Sequence, residues 1–352
     1  QGGMPMNRSI RHTFLAATTA CGLWLTPVTA QTTATTDPVG AMTVTIPAGS
    51  PTVRSLSFLS FPLLAPPQGI QGVSSGDVSL VGADFIEIIG ANWSPGQLSF
   101  PDLPFFVRFT SGEAKGLTLL VSSSTPNTSI KLFFDESVLE GLTLVELGVA
   151  SGDSFSIFAA DTIRSAFGDE SNGITGGSGI DDADMVQMYR DGAWERYFFD
   201  NSRSEWVQLR RGFPSVDNVP IAPQSAVLFS RVGNTPLSFT LSGSVANDRL
   251  ETVVPAGVSF IGTGRPTQTT ISDLGLENIP GWKADSEFEN SDTVDIYLDG
   301  AWNRYWFDGT NWRQFRRGFP VSDDVELSSG MGIVLNRRYT NQTAKFSQEL
   351  LF

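Results

Sequence analysis

The densest concentration of side chains able to do chemistry lies in two decapeptides. DGAWERYFFD spans 191–200 and DGAWNRYWFD spans 299–308, 108 positions apart and identical at eight of ten positions. Alternate residues of a strand share a face, so each decapeptide presents a row: Trp194, Arg196 and Phe198 in one, Trp302, Arg304 and Trp306 in the other. Downstream, Trp206 and Trp312 precede two copies of RRGFP, 210–214 and 316–320, which add Arg210 and Arg316. Flat rings beside guanidinium and amide groups suit the hydroxyl-bearing face of a sugar. The binding candidates are therefore Trp194, Arg196, Trp206, Arg210, Trp302, Arg304, Trp306, Trp312 and Arg316, with a glycan or a cell-surface or matrix protein as the partner. The same rows also suit scaffold, since cross-strand aromatic pairs stabilise sheets and aromatics are ready strand formers, which favours that use. The paired arginines are expected to meet Asp217 or Asp323 and Asp324 just beyond them, an anion or uronic-acid site being the alternative.

A second set of oxygens follows the Gly-rich stretch GITGGSG: Asp181, Asp182 and Asp184, with Asn290 and Asp292 in the matching region. Such residues could supply the roughly six to eight oxygens that Ca²⁺ takes. EF-hand spacing is absent, so a solvated acidic loop is the competing expectation. No other cofactor is indicated.

The sequence has one His and one Cys, His12 and Cys21. Both fall in a segment with the three parts of a secretory leader: basic Arg8, Arg11 and His12, the apolar run from Phe14 to Leu25, and the small-residue site Val28-Thr29-Ala30. An exported protein is expected, periplasmic, cell-surface or extracellular. The remainder lacks the residues for Ser-His-Asp or Cys-His catalysis and for disulfides. An enzyme would have to rest on carboxylates, as a polysaccharide hydrolase or lyase; a non-catalytic structural, adhesion or binding role is the first expectation. A net charge of −14 argues against nucleic acid. No apolar run after residue 30 is long enough to span a bilayer as a helix.

The elements that must carry these residues are strands. Short alternating runs such as DFIEII (84–89), FFVRF (105–109) and SFSIF (154–158) are cut by turns rich in the 35 Gly and 20 Pro. Helix is expected only as single turns, at 161–167 and 272–276. The 108-residue recurrence extends from Thr162-Ile163 (Thr270-Ile271) to Arg231 (Arg337), closing to 106 after the decapeptide. TIPAGS (45–50) also echoes VVPAGV (253–258), but 208 residues apart, which leaves about a hundred extra residues inside the first copy. The expected architecture is all-β: two related antiparallel units, meander or sandwich-like, with a small β-barrel or sandwich domain inserted in the first. The expected division is leader 1–30, first unit 31–59 plus 161–245, inserted domain 60–160, and second unit 246–352.

The succession DPVG, FFVRFTSGEAKG, SSTPNTSIKLFFD, GVASGDSFSIF and DTVDIYLDGAWNRYWFDGTNW resembles a paralogous family of secreted β-rich proteins from Verrucomicrobia and related bacteria. The likeness runs from Asp37 onward. It implies export and a β-rich fold, and no particular chemistry.

Overall fold

The computed structural model describes residues 39–64, 75–190, 192–245 and 249–349, and their regular structure is almost wholly antiparallel strand. The leader expected at 1–30 and the turn residue Asp191 lie outside the described residues. Helical pieces are short: Ile163–Phe167 is opened by a Thr162–Ser165 capping box, and Ser272–Leu274 is one 3-10 turn.

Each decapeptide strand sits second in a five-stranded sheet. The first sheet runs Glu205–Gln208, Ala193–Asp200, Met185–Arg190, Ala226–Arg231, Ser55–Ser60. The second runs Trp312–Gln314, Ala301–Phe307, Thr293–Leu298, Gly332–Arg337, Gly257–Gly262. Their hairpins share a register, Tyr189 facing Trp194 and Tyr297 facing Trp302. Alternation then sends Val186, Met188 and Tyr197 inward in the first sheet, and Val294, Ile296 and Tyr305 inward in the second. Behind the first sheet, Val39–Ile46 pairs with Leu237–Val245; behind the second, Arg249–Val254 pairs with Ala344–Glu349. Each pair closes a two-layer sandwich over its own core. Ile46 and Val254, both fully buried, end the strands that lead into PAGS (47–50) and PAGV (255–258).

Residues 75–159 build two further open sheets around a core that includes Val78, Ile86, Trp93, Val107 and Phe155. No described strand set closes on itself, so the open sandwich, not the barrel, is what forms here. A barrel needs a continuous ladder; these sheets are linked by a single bridge between Val121 and Phe134. Leu63–Leu64 still pairs with Leu237–Val245, so the first sandwich keeps the chain beyond position 60. Phe105–Phe109 is buried along its whole length. Phe105, Val107 and Phe109 face the core of residues 75–159, while Phe106 and Phe158 pack with Leu64 of the first sandwich, which joins the two.

The two five-stranded sheets meet through the strands at their far edges. Ser60 N donates to Gly330 O and Gly262 N donates to Gln224 O, each at 2.8 Å. Bridges Leu59–Met331 and Ser225–Ile261 lie beside them. Every contact is returned: Phe58 and Phe260 meet edge to face at 5.6 Å, Trp194 packs on Phe260 at 4.7 Å, and Trp302 packs on Phe58 at 5.7 Å. The approach requires missing side chains, because a Cβ on Gly262 would lie 2.4 Å from Cβ of Ser60. The same holds at Gly332, where it would lie 2.5 Å from Cβ of Ala226. Among the described residues no helix is long and apolar enough to cross a membrane.

Candidate functional site

A cleft of about 650 Å³ opens where the outer face of the second sheet meets the first. Its apolar wall is Trp194, Phe260, Trp302, Phe315 and Val334; its polar groups are Asp295, Asn303, Arg304, Gln314 and Arg316. Trp194 comes from the first decapeptide and Trp302 from the second, so reciprocal docking of the sheets is what brings the two indoles to one cleft. Both stay partly open, 42% and 46% exposed, and Phe315 is 50% exposed.

The polar groups are mostly held by one another. Arg304 grips Asp295 with both ends of its fork, Nε to Oδ1 at 2.6 Å and Nη2 to Oδ2 at 2.8 Å. The hydrogen bond to this carboxylate holds the guanidinium above its usual range. Gln314 Nε2 donates to Asn303 Oδ1 at 2.8 Å. Arg316 has no carboxylate within ion-pair distance among the described residues. Phe315 is stacked at 4.1 Å on Phe288, which fixes the orientation of its ring.

Four of the nine binding candidates, Trp194, Trp302, Arg304 and Arg316, therefore line one cleft. Arg196 and Arg210 are exposed on the first sheet. Trp206, Trp306 and Trp312 are not surface residues and are corrected to scaffold: each is at most 2% exposed. The register explains why. Trp206 pairs with Phe199 and Trp312 with Phe307, which puts both indoles on the inward faces, opposite to Trp194 and Trp302. Trp306 does point outward, but Phe288 and Phe319 cover it edge to face at 5.6 and 5.3 Å. Trp206 Nε1 donates to Gly168 O at 2.9 Å, whereas Trp312 Nε1 has no partner. Trp206→Phe is therefore expected to cost about 1 kcal/mol more than Trp312→Phe in denaturant unfolding, because it alone strands a carbonyl.

The arginine pairs do not meet the carboxylates expected for them. Asp217 Oδ1 accepts from Trp206 N at 2.8 Å and Asp323 Oδ1 from Trp312 N at 2.6 Å, so both carboxylates staple the return strand. In each RRGFP turn the Phe adopts a left-handed backbone, φ 42° at Phe213 and 44° at Phe319. A bulky residue there costs on the order of 1–3 kcal/mol. The ring contacts of Phe319 with Trp306 and Phe315 offset that cost, and the turn leaves Arg316 and Arg317 pointing to solvent.

The acidic set also disperses. Asp184 is fully buried, accepting from Thr175 N and Val232 N at 2.8 Å each and pairing with the buried Arg231 at 2.7 Å. Asp292 is fully buried too and accepts from Lys283 N at 2.8 Å and Tyr339 N at 3.3 Å. Asp181, Asp182 and Asn290 stay exposed. Among the described residues no group of three or more His, Cys, Asp or Glu converges.

Phe260, Asp295, Asn303, Gln314, Phe315 and Val334 complete the cleft without having been singled out as candidates by sequence. A signal for Phe260 was present: LSFLS at 56–60 and VSFIG at 258–262 repeat the Ser-Phe pair. No family model, curated protein or solved structure matches this chain, so the cleft is interpreted from its own chemistry.

Proposed function

We propose that this chain is a non-catalytic glycan-binding module of an exported protein, formed from two duplicated Trp-rich units whose docking creates the cleft. The observation that carries this is the set of three half-exposed rings, Trp194, Trp302 and Phe315, bordering one concave surface with amide and guanidinium groups at its rim. Exposed rings clustered beside polar groups are what a sugar-stacking surface requires, and a packed core would have covered them. Hydrolysis would need two carboxylates about 5–10 Å apart; the cleft offers Asp295, already neutralised by Arg304. That favours binding over the polysaccharide hydrolase or lyase alternative.

Phe315→Ala is the cleanest test, because the ring is half exposed and lies outside the sandwich cores. Calorimetric titration against a panel of soluble oligosaccharides is expected to show binding by the parent chain and about tenfold weaker binding by the variant, equivalent to roughly 1.4 kcal/mol. Absence of binding across the panel would overturn the proposal.

A further inference from the structure

Building on the glycan-binding role, we propose that the ligand is an anionic polysaccharide, bearing carboxylate or sulfate groups, whose track runs from Arg316 past Trp302 and Trp194 to Arg196 and Arg210. Cations in this acidic chain are mostly committed. Arg231 pairs with Asp184, Arg304 with Asp295 and Arg313 with Asp308, and Arg337 donates to backbone carbonyls. Exposed exceptions include Arg196, Arg210 and Arg316. Arg316 lines the cleft, and Arg196 stands two residues from Trp194 on the same strand face.

The two sheets differ at one informative position. Arg304 faces Asp295 across its hairpin, whereas Arg196 faces Gln187. The charge that is cancelled on the second sheet is left open on the first, although the chain carries a net −14 and has carboxylates in excess. Arg210 follows the first return strand as Arg316 follows the second, and it too has no carboxylate partner among the described residues. Guanidinium forks at both ends of a pair of indoles match a polymer that offers flat sugar faces between repeated anionic groups. Because Trp194 and Trp302 pack reciprocally on Phe260 and Phe58, the two halves of the track share a rigid centre.

The test uses the full chain and three probes: oligogalacturonate, its fully methyl-esterified form, and a sulfated galactan oligomer. The acidic oligogalacturonate is expected to bind at least about tenfold more tightly than the ester, with affinity falling as salt rises. Arg316→Gln and Arg196→Gln are each expected to weaken the acidic ligand by about three- to tenfold and to leave the ester unchanged. Binding of the sulfated oligomer alone would assign the anion as sulfate; binding of both acidic probes would assign recognition to charge rather than to one group. Equal affinity for acid and ester would overturn the anionic ligand while leaving glycan binding intact. Loss of binding on Arg316→Gln with no effect of Arg196→Gln would overturn the track across the first sheet. No binding of any probe would overturn the anionic ligand, and the oligosaccharide panel then decides separately whether glycan binding stands.

Discussion

Asp184→Asn is expected to destabilise the fold by about 3–5 kcal/mol, the usual consequence of removing one member of a buried ion pair. Arg231 is 2% exposed and its guanidinium also donates to Thr235 O and Gly173 O, so it cannot reach water when the carboxylate is lost. Asp184 further accepts two backbone amides, and the Asn side chain would turn a donor toward one of its present donors. The matching change in the other sandwich, Asp292→Asn, is expected to cost markedly less. Arg337 is buried as well, but its two Nη groups donate to carbonyls, Val254 O and Pro280 O at 2.7 Å each and Pro255 O at 3.2 Å, while its Nε has no partner and no ion pair to Asp292 forms within 4 Å among the described residues. Burial pushes the Arg337 guanidinium down and nearby Asp292 raises it only in part. Urea unfolding of the two variants side by side checks the contrast. Equal losses would mean that the ion pair contributes nothing beyond the shared amide contacts.

Gly332→Val is expected to separate the two sheets at their closest point. A Cβ there would sit 2.5 Å from Cβ of Ala226 and 3.1 Å from the Phe58 ring, with backbone hydrogen bonds fixing the approach on both sides. Overpacking of this kind costs about 1–3 kcal/mol or more where nothing can yield. The consequence reaches the cleft. As Phe58 and Phe260 part, Trp302 and Trp194 lose their edge contacts, so glycan affinity should fall together with stability. Gly179→Ala is the control, since a Cβ at that position meets nothing within 4 Å. Full stability of Gly332→Val would contradict the close docking of the sheets.

Much of this fold was legible from alternation alone. DFIEII, SFSIF and the decapeptides read as strands, and the inward placement of Val294 and Ile296 opposite to Trp302 and Arg304 follows from a period of two. The faces of Trp206 and Trp312 were not legible. Which way a return strand presents its side chains depends on register, and Asp308–Asn311 sets that register with a hydrogen-bonded turn between Asp308 N and Asn311 O. A shift of one residue would have exposed both indoles. The docking of the sheets was hidden for a different reason. Leu59 bridges Met331 and Ser225 bridges Ile261, contacts between distant segments that no local pattern encodes. The RRGFP arginines were expected to be neutralised by Asp217 and Asp323, but those carboxylates were already occupied by the amides of Trp206 and Trp312. Charge proximity in sequence could not show that a backbone donor had the prior claim.

The decapeptide thus has two uses at once. Its inward residues build a sandwich core, and its Trp joins the two sheets while leaving part of one indole face open. Resolving the indole N–H signals during titration with oligogalacturonate tests that dual use most directly. The signals of Trp194 and Trp302 are expected to move together and saturate, while those of buried Trp206 and Trp312 stay in place. Unmoved Trp194 and Trp302 signals at saturating ligand, or a shift shared by all the indoles, would contradict it.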